Sequence, residues 1–155
     1  MTLFVPYDGT PLSTAALSRA SALAAQTDDP LVAATVVPRE RREAVDHGWL
    51  ADDERFDADR IRRRLRERVD AVAPAADYTI RYVDGRLTSG AIARILRDIA
   101  READASVVVM GSEHIGRSAA PADTVSGKVA ARLSTDLYVV QEAGEAYGPL
   151  VDATN

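Results

Sequence analysis

Two clusters of residue types in this chain have the makings of a shared site. Asp8, followed by Gly9 and Thr10, stands at the end of a short apolar run. A second run, Val107 to Gly111, opens onto Ser112, Gly116, Arg117, Ser118, Asp123 and Thr124. In a parallel α/β sheet such runs can end side by side, and ligands bind outside the carboxyl ends of strands where the winding reverses. The spacing predicts a candidate phosphate loop opposite a candidate base-binding acid. For Asp8 a plainer reading stands beside this one, an Asp-Gly turn or helix cap.

The elements that must position these residues are legible as periodicities. Apolar runs of strand length occur at Leu3 to Tyr7, Leu31 to Val37, Tyr78 to Val83, Ser106 to Met110 and Leu137 to Gln141. Several are nearly continuous, as strands covered on both faces should be. Between them, helical stripes step by three and four: Leu12, Ala16, Ala20 and Leu23; Ile61, Leu65, Val69 and Val72; Ile92, Ile95, Leu96, Ile99 and Ala103. Val125, Val129 and Leu133 mark a last short helix. Thr10 before Pro11, and Ser89 before the Ile92 stripe, suit helix starts, because a hydroxyl can accept an orphan N–H and proline tolerates the first helical position. Pro38 to Asp53 is polar and is expected to be a loop or irregular helix. Alternation of strands and helices predicts an α/β fold, a doubly wound, five-stranded, mostly parallel sheet with helices on both faces. One domain, residues 1–142, is expected, followed by a flexible tail over 143–155 that carries Gly144, Gly148 and Pro149.

Composition narrows the function. The 155 residues are 46% apolar but only 5% aromatic, so aliphatic packing must fill the core. With no cysteine, disulfides, thiolate zinc sites and thiol catalysis are excluded together, and a reducing compartment is expected. His47 and His114 are the only histidines, too few for a histidine-rich metal site, and no metal is predicted. No stretch reaches the ~18 apolar residues of a membrane span, and Met1 to Tyr7 lacks the basic start of a signal peptide, so the protein is expected in the cytoplasm with no membrane partner. A net charge of −5 disfavours general affinity for nucleic acid. The basic run Arg60, Arg62, Arg63, Arg64, Arg66 and Arg68 follows the acids Asp52, Asp53, Glu54, Asp57 and Asp59, an order that complements a helix dipole and allows Asp59 to pair with Arg63. That run is read as a solvated helix face.

Two further patterns are set aside. Gly111 to Ser118 nearly spells the Gly-x4-Gly-Lys-Ser/Thr phosphate loop, but arginine replaces lysine and Ala119, Ala120 and Pro121 stand where a long helix should begin. Ser112, Glu113 and His114 are adjacent in sequence, and adjacent residues rarely converge into an acid–base set; His114 is read as a solvent-exposed loop residue.

Phe4-Val5-Pro6-Tyr7-Asp8-Gly9-Thr10, joined to an alanine-rich helix, resembles the start of the universal stress protein family, where a strand ends in Val-Asp-Gly-Ser. Val36-Val37-Pro38 is similar to that family's second strand end. Val107-Val108-Val109-Met110-Gly111-Ser112 is similar to its fourth strand and first motif glycine, and Leu137-Tyr138-Val139-Val140 to its last strand. The resemblance implies an adenine-nucleotide-binding sheet that dimerises through the last strand, Leu137 to Gln141. It also implies that Asp8 and the backbone near Val37 face the base, while Gly111 lets the chain approach ribose or phosphate closely. Ser112, Gly116, Arg117, Thr124 and Val125 complete the candidate nucleotide-binding set.

The chain departs from the family's pattern, which runs Gly, two residues, Gly, nine residues, Gly, then Ser or Thr. Asp123 stands where the last glycine belongs and Thr124 takes the hydroxyl position. His114 falls near the middle glycine unless Gly116 has shifted to replace it, and the loop is about one residue short. Asp123 would cap the helix N–H groups that a phosphate needs, and a like charge at ~4 Å repels by about 4 kcal/mol at an effective dielectric of ~20. It is therefore a candidate phosphate-blocking residue. The resulting expectation is a non-enzymatic stress-response or regulatory homodimer with unknown protein clients, whose adenine-nucleotide pocket is degenerate and holds ATP or AMP weakly. The alternatives are a functional ATP- or AMP-binding stress protein and a nucleotide-hydrolysing enzyme on the same fold.

Overall fold

Strand β1, Thr2–Pro6, sends its side chains alternately to two different cores. Leu3 and Val5 enter one cluster and Phe4 the other, all three with no exposed surface. A strand has a side-chain period of two, so a continuous apolar run is what a sheet covered on both faces requires. The same alternation runs through β2, Leu31–Pro38, where Ala33 and Val37 face one way and Ala34 and Val36 the other. In β4, Ala105–Gly111, Val109 is set against Val108 and Met110. This computed structural model describes residues 1–85, 87–111, 135–141 and 148–151.

The first core is closed by α1, Pro11–Thr27, and α3, Ala58–Val72. Ala16, Leu17 and Ala20 lie on the inner face of α1, and Ile61, Leu65 and Val69 on that of α3. Burying side chains such as Ile61 and Leu65 stabilises the fold by about 1.5–3 kcal/mol each, and Leu65→Ala would cost ~2–5 kcal/mol. The second core lies under α4, Ser89–Glu102, through Ala93, Leu96, Ile99 and Ala100. Helices therefore cover both faces of the sheet.

With β3, Asp77–Val83, and β5, Asp136–Val140, the sheet has five strands in the order β3-β2-β1-β4-β5, and every pairing is parallel. The chain winds outward from β1 to β3, then crosses back to place β4 on the other side of β1. That reversal puts the carboxyl ends of β1 and β4 side by side, Leu3 pairing with Val107 and Phe4 with Val108. The predicted doubly wound α/β sheet is thus observed, with all five strands parallel.

Element boundaries shift by a residue or so from the sequence reading. β1 stops at Pro6, although the Tyr7 N–H still donates to the Ala34 carbonyl at 2.8 Å. α4 is capped by Thr88 rather than Ser89: the Thr88 hydroxyl accepts from the Ala91 N–H, and Ser89 is the first helical residue. Within the polar stretch from Pro38 to Asp53 the chain forms a short helix α2, Arg41–Asp46, and then buries Trp49 and Leu50. The helix expected around Val125 to Leu133 lies outside the described residues. In the segment expected to be a tail, residues 148–151 lie against the body. Leu150 packs on the first core near Gly9, and the Gly148 carbonyl accepts from an Arg68 Nη2 at 2.7 Å.

Candidate functional site

After β1 the chain turns sharply at Gly9, whose φ of 82° lies in the left-handed region that favours glycine. This turn lets Asp8 face the start of α1. A single carboxylate oxygen, Asp8 Oδ1, accepts from the Thr10 N–H at 3.0 Å, the Thr10 hydroxyl at 2.7 Å and the Ser13 hydroxyl at 2.7 Å. Thr10 is also the helix cap, its Oγ1 accepting from the Ser13 N–H. The Asp-Gly turn weighed for Asp8 is therefore present, while the helix cap falls to Thr10, and the turn still leaves the acid on a cavity wall. No described residue donates to Oδ2.

Behind the turn runs a buried polar chain. Thr35, on β2, donates its hydroxyl to the Tyr7 carbonyl at 2.6 Å, so the Tyr78 hydroxyl, 2.6 Å away, must donate to Thr35. By the same logic Thr14 donates to the Thr10 carbonyl and the Tyr7 hydroxyl, 3.3 Å from it, is a donor to Thr14. Burial pushes the ionisation of Tyr7 and Tyr78 above the ordinary phenol value of 10.0, which keeps both as neutral donors. These bonds fix the backbone at the mouth of β1 from behind.

From the side comes Trp49. Its indole N–H donates to the Asp8 carbonyl at 2.7 Å, and its ring is stacked on His47 with centroids 4.4 Å apart. His47 Nδ1 is 2.7 Å from the Glu43 carbonyl, an atom that only accepts, so the proton sits on Nδ1. Together these groups enclose a cavity of about 120 Å³ at the switch point. Tyr7, Asp8, Thr10 and Ser13 line it from the β1–α1 turn, Thr35, Val36 and Pro38 from β2, and His47 and Trp49 from the segment after α2. Ile92 and Leu96 of α4, with Met110 and Gly111 of β4, form the opposite wall. One carboxylate, several hydroxyls and a largely apolar lining suit a flat heterocycle bearing a few polar groups. The volume is below the ~300–1,000 Å³ of pockets that enclose a drug-sized molecule and has room for a ring.

Of the residues singled out from sequence, Asp8 and Gly111 meet at this cavity. The Val37 side chain is fully buried in the first core, while its chain neighbours Val36 and Pro38 line the cavity, so the strand end at Val37 borders it. Gly111 has a packing reason for being glycine: a Cβ there would lie 2.7 Å from Leu12 Cγ. Ser112, His114, Gly116, Arg117, Asp123, Thr124 and Val125 lie outside the described residues. Sequence reasoning did not find Trp49, His47, Thr35 or Ser13. The available signal was the chain's only tryptophan, set in a polar stretch.

The arginine run on α3 is partly occupied near the site. Glu54 binds Arg60 at 2.6 Å and Arg64 through two bonds at 2.8 and 3.0 Å. The hydrogen bond from Arg64, helped by the Ala51 N–H, pulls the Glu54 carboxyl from 4.5 down to about 2. Those arginines pair with Glu54, and Asp59 and Arg63 form no ion pair with each other. Among the described residues no group of three or more His, Asp or Glu side chains is placed to hold a metal ion, and no helix is long and apolar enough to cross a membrane.

A parallel sheet wound both ways from β1, with a lined cavity at the reversal, defines a Rossmann-like α/β protein with a cavity at its switch point. The chain belongs to the universal stress protein family, whose profile matches residues 1–141. It is similar in structure to a universal stress protein solved in complex with cAMP, at 25% identity and a TM-score of 0.59, with 91% of this chain and 96% of that one covered. It shares its fold with universal stress protein UspA from Lactobacillus plantarum, at 21% identity and a TM-score of 0.59 over 90% of this chain and 97% of that one. The same holds for the universal stress protein from Archaeoglobus fulgidus in complex with dAMP, at 16% identity and a TM-score of 0.54 over 90% and 96%. No curated protein matches the chain by sequence.

Proposed function

We propose that this chain is a cytoplasmic stress-response or regulatory protein that takes the base of an adenine nucleotide into the cavity between β1 and β4, and that holds triphosphate weakly. The observation that carries this reading is the Asp8 carboxylate, held by three donors through one oxygen and left with a second oxygen for an exocyclic amino group. The relative solved with cAMP supports an adenine nucleotide as the ligand class. Weak triphosphate binding rests on Asp123, the negative charge that stands in the sequence where the family pattern has glycine. Calorimetry of AMP, cAMP and ATP against the native protein and Asp123→Gly tests both parts. AMP or cAMP should bind the native protein, and the substitution should strengthen ATP by at least about tenfold, or ~1.4 kcal/mol. Binding of ATP as tight as that of AMP before the substitution would refute the degenerate pocket.

The working unit is proposed to be a homodimer through β5. That strand ends the sheet order, carries neither lysine nor proline, and exposes Leu137 and Tyr138, each 43% accessible. An edge with unpaired backbone groups and exposed apolar side chains is a template for pairing. Val139→Asp should give a monomer by light scattering at micromolar concentration; an intact dimer would count against this edge.

A further inference from the structure

The segment between α2 and α3 is tied down at two ends. At one end the Trp49 indole N–H reaches the Asp8 carbonyl at 2.7 Å, with the ring 1% exposed. At the other, Arg64 Nη1 donates to the Trp49 carbonyl at 3.0 Å while the same guanidinium grips Glu54. Glu54 in turn accepts from the Ala51 N–H at 2.7 Å and from Arg60. Trp49 therefore links the charged face of α3, through its carbonyl, to the peptide of Asp8, through its indole N–H. His47, stacked on the same ring and bonded to α2 through Glu43, closes the remaining freedom of the indole.

We infer that Trp49 is a positioning residue for the site: it fixes the Asp8 peptide and thereby the aim of the carboxylate, and Glu54, with Arg60 and Arg64, anchors it. The peptide and the side chain of Asp8 share one Cα, so a rotation of that peptide turns Oδ1 away from Thr10 and Ser13 and moves Oδ2 with it. A hydrogen bond to the carbonyl is the means by which a neighbouring segment can prevent this. Trp49 acts through Asp8, so its loss should alter base discrimination as well as affinity. The inference about ligand binding rests on the reading of the cavity as an adenine-nucleotide site.

Trp49→Phe keeps an aromatic ring beside His47 and removes only the N–H and part of the ring. In calorimetry it should weaken AMP by about tenfold and bring the AMP-to-GMP affinity ratio toward one, Glu54→Gln doing the same to a smaller degree, ~threefold. In an Asp8→Ala background Trp49→Phe should change the ratio no further. Equal losses for AMP and GMP, with the ratio kept, would mean that Trp49 is only a packing residue and would overturn the inference. A second measurement needs no ligand: amide exchange at Thr10 and Ser13, whose N–H groups bond to the Asp8 carboxylate and the Thr10 hydroxyl, should quicken at least tenfold in Trp49→Phe while the α4 amide of Leu96 keeps its rate. Unchanged exchange at Thr10 and Ser13 sinks the positioning role. Should the native protein bind neither AMP nor cAMP, the functional reading of the cavity falls, and the exchange result still decides Trp49.

Discussion

The chain turns twice through an Asp-Gly pair into a helix capped by threonine, and the two turns have come to different ends. After β1, Asp8-Gly9 leads directly to Thr10; after β3, Asp84-Gly85 reaches Thr88 only after two more residues. Both glycines have positive φ, 82° and 76°, and both threonines cap with nearly the same backbone, φ −67° and ψ 157° against φ −71° and ψ 158°. Yet Asp8 faces the cap and gathers three donors, whereas the Asp84 side chain is 89% exposed and among the described residues meets only Arg39, at 3.1 Å. Turn chemistry alone does not make a site. What distinguishes the first turn is a spacing that returns the carboxylate to its own helix, and a second segment, carrying Trp49, that braces it.

The largest expected break in this contrast is Asp8→Ala. It strands the Thr10 and Ser13 donors and should cost about 3 kcal/mol in urea unfolding, with loss of nucleotide binding. Next come the caps themselves. Thr88→Ala should cost ~1 kcal/mol, the ordinary value for a lost cap, whereas Thr10→Ala should cost ~2 kcal/mol because its hydroxyl also donates to Asp8. Equal losses in thermal or urea unfolding would show that the network around Asp8 adds nothing to a plain cap.

Glu54, which has no counterpart at the second turn, gives a pH test. Its folded-state value of about 2 lies below the ordinary 4.5, so the ionised carboxylate contributes its full stabilisation above pH 4.5 and loses it as the pH falls toward 2. Allowing for solvent screening of the Arg60 pair, native protein should exceed Glu54→Gln by about 1 kcal/mol at neutral pH. That gap should close across this acid window, and a gap constant with pH would remove the ion pairs from the account. The smallest effect belongs to Asp84→Ala, within ~0.5 kcal/mol of native, since an exposed ion pair contributes little.

Much of the frame was legible because it is periodic. The run Val107 to Val109 announces a strand covered on both faces, and Ile61, Leu65 and Val69 announce a helix face; each pattern needs only its own neighbours to be read. Asp8 was legible for a similar reason, as a turn residue at the end of such a run. Trp49 was not, because its partner is 41 residues away and nothing periodic surrounds it. Thr35 was hidden inside an apolar run, where its hydroxyl has a use only once Tyr7 and Tyr78 lie across from it.

Leu150 lies beyond the stretch that the family profile covers, and its Cδ1 sits 2.5 Å from where a Cβ on Gly9 would be. A fragment cut at residue 141 would lose that wall and leave the turn beside Asp8 open to water on its outer side. Anyone trimming the chain to its recognisable domain would be altering the packing around the Gly9 turn.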